Sequence, residues 1–204
     1  MGKNIDDLIQ KRRSIRVYKD IEVDDDILES LVSAASFAPS NSNRQGYYFT
    51  FIKNKAMILD LANLVEAMVD SKKEVLQKRH PYFFEYAKNF VHFRGAPVLM
   101  ISYYTKPPSF SMQIFKEYGC QSIVSGDVFS IGLAIQNMLL KATDLGLGSC
   151  VMSGPLIAED DIKLYLKTPS RYGLGPMVCF GYANEDLKRP RRKNFKKRFE
   201  IIDE

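Results

Sequence analysis

The stretch from Gln121 to Asp144 constrains the fold most. Val124, Val128, Ile131, Ala134, Ile135, Met138 and Leu139 recur at helical spacing and form a wide apolar stripe. A helix that long and that apolar belongs in the middle of a domain. Gly146 follows as its C-terminal cap. Around it the chain alternates between strand and helix patterns. "YYFTFIK" (47–53), "APVLMISYY" (96–104), "GSCVM" (148–152) and "GPMVCFGY" (175–182) read as strands. Residues 5–12, 24–38, 55–69 and 158–167 read as helices. In the second of these, Ile27, Leu28, Leu31, Val32 and Ala35 fall on one face, acids fill the first turn and Pro39 ends it. "SIRVYKD" reads as extended and "KPPSFS" as a loop. Residues 71–94, charged and aromatic with little periodicity, read as a helical excursion or lid. Together these imply one α/β domain (α+β in its segregation) with mixed strands and a buried central helix, over residues 1–204.

Composition excludes several functions. Three cysteines without a C-x-x-C pair argue against a disulfide framework, a zinc site or an iron–sulfur cluster, so no metal is expected and the thiols are read as reduced and mostly buried. Only His80 and His92 are present, without H-E-x-x-H, which disfavours histidine-based hydrolysis. No apolar run spans a bilayer and the N-terminus lacks the apolar core of a signal peptide, so a cytoplasmic protein without membrane partners is expected. The net charge of +5 is concentrated in a basic C-terminal arm, 188–204, whose "KRPRRKNFKKR" run leaves the remainder slightly acidic. Such a run suits a solvated arm or nucleic acid, but it holds one aromatic and no recognition signature, so no nucleic-acid partner is expected.

Three stretches carry candidate chemistry. In an extended "RRSIR", Arg12, Ser14 and Arg16 point one way and Ile15 the other. Two guanidinium forks and a hydroxyl suit a phosphate, although a solvated surface explains the same residues. "APSNSNRQGYYF" (38–49) ends a helix at proline. Its polar loop of Ser40, Asn41, Ser42, Asn43 and Gln45 is either a turn or a donor–acceptor surface for a heterocycle. "GLGSCVMSGP" (146–155) is not G-x-G-x-x-G, which disfavours a dinucleotide fold, but Ser153-Gly154 lets backbone approach a flat ligand.

In this order and spacing, "RRSIRVYKDIEV", "APSNSNRQGYYFTFI", "APVLMI", "DVFSIGLAIQNMLLKATDLGLGSC", "SG", "GY" and the basic end resemble the flavin-dependent nitroreductase family along essentially the whole chain. The resemblance implies a three-layer fold with a mixed central sheet flanked by helices, a long central helix and an extended C-terminal arm. It implies bound FMN, NADH or NADPH as electron donor, a homodimer with flavin at the interface, and nitroaromatic, quinone or related small-molecule acceptors reduced by ping-pong turnover. Other chemistries on the same fold, dehalogenase-like or enone-reducing, are the alternatives. By resemblance Arg12, Ser14 and Arg16, with Arg13 adjacent, hold the FMN phosphate, joined by Arg189 and Arg191. Pro39, Ser40, Asn41 and Asn43 reach the flavin from the second subunit. The backbone of Met152, Ser153 and Gly154 lies near N5, and Tyr47 walls the acceptor. The sequence departs from the family where Q-P-W is "QGY", with Gly46 for proline and Tyr47 for tryptophan, and where Ser153 stands for glycine or an acid.

Overall fold

The computed structural model describes residues 4–74, 79–106, 110–119 and 126–202. Helix α1 (Ile5–Lys11) starts at Asn4, whose Oδ1 accepts from the Asp6 N–H, and Asp6 and Asp7 sit in its first turn, where the helix dipole favours them. Helix α2 (Asp25–Ser36) buries Leu28, Leu31 and Ala35, while Val32 at the margin of that stripe stays exposed. A 3-10 turn, Asn41–Asn43, leads into strand β1 (Tyr47–Ile52). Asn54 caps helix α3 (Lys55–Ser71), its Oδ1 accepting from the Met57 N–H at 3.1 Å. Helix α4 (Phe83–Ala87) runs on into a 3-10 stretch, Lys88–Gly95, so the excursion expected over 71–94 is helical in its described part. Strand β2 (Val98–Thr105) follows. Helix α5 (Phe110–Glu117) begins where a loop was expected.

The central helix α6 spans Gly126–Asp144 among the described residues; its expected start at 121–125, with Val124, lies outside them, as does Cys120. It ends in two bonds that satisfy its last carbonyls: Leu147 N–H to Ala142 O (2.8 Å) and Gly146 N–H to Thr143 O (3.2 Å). The reversal needs Gly146 at φ +81°, the left-handed region open to glycine. Strand β3 (Gly148–Met152), a 3-10 turn (Gly154–Ala158), helix α7 (Glu159–Tyr165) and strand β4 (Tyr172–Gly181) complete the domain before the basic arm.

The sheet order is β1-β2-β4-β3 and all three strand pairs are antiparallel. The expected mixed character is confined to one isolated parallel bridge, Ser14 to Ser149. Alternate residues feed two apolar layers. Leu99, Ile101, Met177 and Cys179 pack with Ile58, Leu61, Val65 and Phe93 on one face. Val98, Met100, Val178 and Phe180 pack with Leu28, Leu31, Ile131, Ala134 and Met138 on the other. The sheet is therefore the middle of three layers, which is why its central strands read as continuous apolar runs. Helix α6 buries Ile131, Ala134, Ile135, Met138 and Leu139 against it, but Phe129 and Leu133, on its other side, are 62% and 47% exposed, and Val128 is exposed too. Among the described residues no helix is long and apolar enough to cross a membrane.

Candidate functional site

The segment after α1 is drawn along the free edge of β3. Ile15 N–H donates to Ser149 O (2.9 Å), and the buried Ile15 side chain lies over Gly148, where an added Cβ would stand 2.7 Å from Ile15 Cγ1. Only glycine permits that approach. Further on, Tyr18 bridges Ala183, and the Glu185 carboxylate accepts from the N–H groups of Arg16 (2.5 Å) and Val17 (3.0 Å). The chain is thereby held extended and its side chains alternate.

Arg16 enters a cavity of about 450 Å³, walled on one side by Cys150–Gly154 and on the other by Tyr86, Asn89, Phe90 and His92. Burial pushes the Cys150 thiol up; the charge of Arg16 pulls it back, Glu185 adds to the rise, and Arg12 opposes it more weakly. Ser149 Oγ, beside the Ser14 bridge, is buried without a protein hydrogen-bond partner. Arg13 faces away. Its Nη1 donates to Gln10 O (2.6 Å) and Arg12 O (2.8 Å), and it shares with Arg189, Lys11, Asp7 and Asp186 a neighbouring cavity of about 510 Å³. Arg191 stands exposed on the arm.

The polar loop is clamped to the start of α6 instead. Asn41 N–H donates to Ser130 Oγ (2.9 Å), which donates to Gly126 O (2.7 Å). Gln45 N–H donates to Ser40 Oγ (3.0 Å). Arg44 pairs with the buried Asp127 at 3.4 Å. Ser42, Asn43 and Gln45 all hold positive φ, an arrangement that side-chain-bearing residues keep only when their surroundings impose it. Pro39, Ser40, Asn41 and Asn43 do not line the Arg16 cavity, so within one chain the two groups of expected residues stay apart. Tyr47 packs in the α2–α6 layer, its hydroxyl donating to Ala35 O (3.3 Å) and its ring 5.4 Å from Phe49; burial pushes its phenol up.

Four cavity residues escaped sequence reasoning individually: Tyr86, Asn89, Phe90 and His92. Phe90 packs directly on Gly154 and meets Phe83 and Tyr86 edge-on at 6.1 and 5.6 Å. His92 Nε2 donates to Asn89 Oδ1 (2.7 Å), and burial, with Arg16 adding to it, holds its imidazole below the usual histidine range. The aromatic density of "YFFEYAKNFVHF" was the available signal.

Residues 9–182 match the Nitroreductase family, and the chain belongs to it. It is 35% identical over 216 residues to the nitrobenzene nitroreductase of Ectopseudomonas oleovorans, covering 90% of this chain and 88% of that one. A BluB-like flavoprotein from Clostridium difficile 630 superposes with a TM-score of 0.85 at 28% identity, covering 98% of this chain and all of the other. A nitroreductase with bound FMN from Desulfitobacterium hafniense shares the fold, with a TM-score of 0.70 at 22% identity over the full length of both chains. Family membership makes the protein an oxidoreductase.

Proposed function

We propose that the protein binds FMN in the Arg16 cavity and uses it to move hydride from NADH or NADPH to a nitroaromatic, quinone or related acceptor. The observation that carries this is the meeting of Arg16 with the Met152–Gly154 backbone across one cavity, with Arg12 four positions before it on the same extended segment. The donor set fits the cofactor. Two guanidinium groups and the Ser14 hydroxyl suit its phosphate, and the backbone of Met152 and Ser153 lines the cavity for a flat ring. When bound, the flavin supplies the hydride-accepting and hydride-donating centre at N5. The protein's residues position, shield and exclude water. Tyr86 and Phe90 line the cavity from the helical side, leaving one open face that donor and acceptor would occupy in turn, which favours ping-pong turnover. Of the other expected phosphate ligands, Arg13 and Arg189 line the neighbouring cavity and Arg191 stands on the arm, so each would have to turn toward the phosphate to reach it.

Pro39, Ser40, Asn41 and Asn43 would act on the flavin of a second subunit, making the enzyme a homodimer. The exposed Phe129 and Leu133 on the otherwise core-building helix α6 support that reading. The test is Arg12→Ala with Arg16→Ala. Each charged hydrogen bond is worth about 1.5–3 kcal/mol, and because Arg16 is exposed the lower value applies, so the pair should weaken FMN by about 10²-fold. Flavin absorbance unchanged after dialysis of the double variant would overturn the assignment.

A further inference from the structure

Strand register places Cys150 of β3 directly opposite Cys179 of β4. Both side chains enter the same apolar layer, so they leave the sheet on the same face. Both are free thiols, 4% and 1% exposed. Ser149 gives its carbonyl to Ile15, away from β4, and backbone groups alternate sides along a strand. Cys150 therefore turns its N–H and C=O toward β4, making Cys150–Cys179 a hydrogen-bonded pair with Cα atoms about 5.5 Å apart. That lies inside the interval of about 4.4–6.8 Å that a disulfide spans. In a hydrogen-bonded pair the Cβ atoms stand at the far end of the range of about 4.5–5.5 Å, so they must close by about 1–2 Å to reach disulfide spacing. Strand β3 is at the sheet edge, held on its outer side by the single Ser14 bridge, and can yield that much.

The two thiols are not equivalent. Cys150 lines the cavity beside Arg16. Cys179 lies behind it against Tyr18, and burial holds its thiol well above the ordinary range. Burial raises both thiols, but only Cys150 has guanidinium charges opposing that rise.

We propose that Cys150 and Cys179 form an oxidisable pair that closes to a reversible disulfide under hydroperoxide, with Cys150 reacting first. Cys150 gives up its thiol proton and its sulfur attacks one oxygen of hydrogen peroxide; an S–O bond forms, the O–O bond breaks, and the departing hydroxide takes up that proton as water, giving a sulfenic acid. The Cys179 sulfur then displaces the sulfenic oxygen. The S–S bond forms, the S–O bond breaks, and the Cys179 proton departs with the hydroxide as a second water. Two thiols lose two electrons in total and the peroxide gains them. The tie draws Cys150 back from the cavity wall and staples the edge strand to β4.

The experiment treats the protein as purified with hydrogen peroxide, alkylates free thiols under denaturing conditions and maps the peptides by mass spectrometry. A cross-link between the peptides of Cys150 and Cys179, two hydrogens lighter than the free pair and reversed by dithiothreitol, is expected, with Cys120 still alkylated. Cys179→Ser should leave Cys150 trappable as a sulfenic acid by dimedone, whereas Cys150→Ser should leave Cys179 a thiol. The proposal is overturned if both cysteines survive as thiols at peroxide levels that oxidise free cysteine. It is equally overturned if Cys150 links to Cys120 or to another chain instead.

Discussion

The tightest contact at the cavity is between Gly154 and Phe90, and Gly154→Ala probes it. An alanine Cβ would stand 2.1 Å from Phe90 Cδ1 and 2.6 Å from Cγ and Cε1. Carbon atoms rest about 3.5–4.0 Å apart, so the ring must retreat by about 1.4–1.9 Å. Phe83 and Tyr86 already stand edge-on against that ring, so the retreat disturbs the whole aromatic cluster. Overpacking of this kind costs about 1–3 kcal/mol. At about 2–4 °C per kcal/mol for a domain of this size, Tm should fall by about 2–12 °C. The assay is calorimetric melting of four proteins: wild type, Gly154→Ala, Phe90→Ala and the double variant. Phe90→Ala removes all three clashing atoms, so in that background the glycine substitution should be close to neutral. An equal loss in both backgrounds, or no loss in the wild type, would refute the contact as the reason for a glycine here.

Three further outcomes are expected. Phe129→Glu with Leu133→Glu should give a folded monomer by light scattering and circular dichroism, because it places charge on the apolar face of α6; a dimer that survives means the interface lies elsewhere. His92 is held below its ordinary range near 6.5, so the stability it contributes is present above that value and is lost as pH falls through the lower folded value. His92→Asn should lose less stability than wild type on acidification below pH 6.5, and parallel melting curves across pH would contradict this. Asn54→Ala removes the cap of α3 and should cost about 1 kcal/mol in urea unfolding without altering the slope.

What was legible in the sequence had a local signature. Ile131, Ala134, Ile135, Met138 and Leu139 announce the buried side of α6, and the period of two in "RRSIR" separates Arg12 and Arg16 from Ile15. Strand direction was not legible. An unbroken apolar run such as 98–101 marks a strand covered on both faces, which parallel strands usually are and which these antiparallel strands are as well. Strand β4 begins at Tyr172 rather than 175 because Gly173, which reads as a turn residue, lies where the Tyr104 ring crosses the backbone. Tyr47 was expected as a site wall because it stands where the resembled family carries tryptophan; within this chain its ring lies on the α2 side of the sheet, which no local pattern announces. The residues of 86–92 carry only their aromatic density as a local mark; that Phe90 packs on Gly154, more than sixty positions away, is a product of the fold.

Glu185 also sets a schedule. The carboxylate that fixes Arg16 is attached 169 positions downstream of it, and the wall it faces begins at Cys150. At about 5–20 residues per second, translation reaches Glu185 about 10–40 s after initiation. Until Met152 is made the "RRSIR" segment has no edge strand, until Glu185 is made it has no anchor, and the loop to be closed is among the longest this chain can make. The inner strand β4 and the Glu185 anchor are made almost together, so the sheet is completed and the "RRSIR" segment is fixed in the same late step of synthesis.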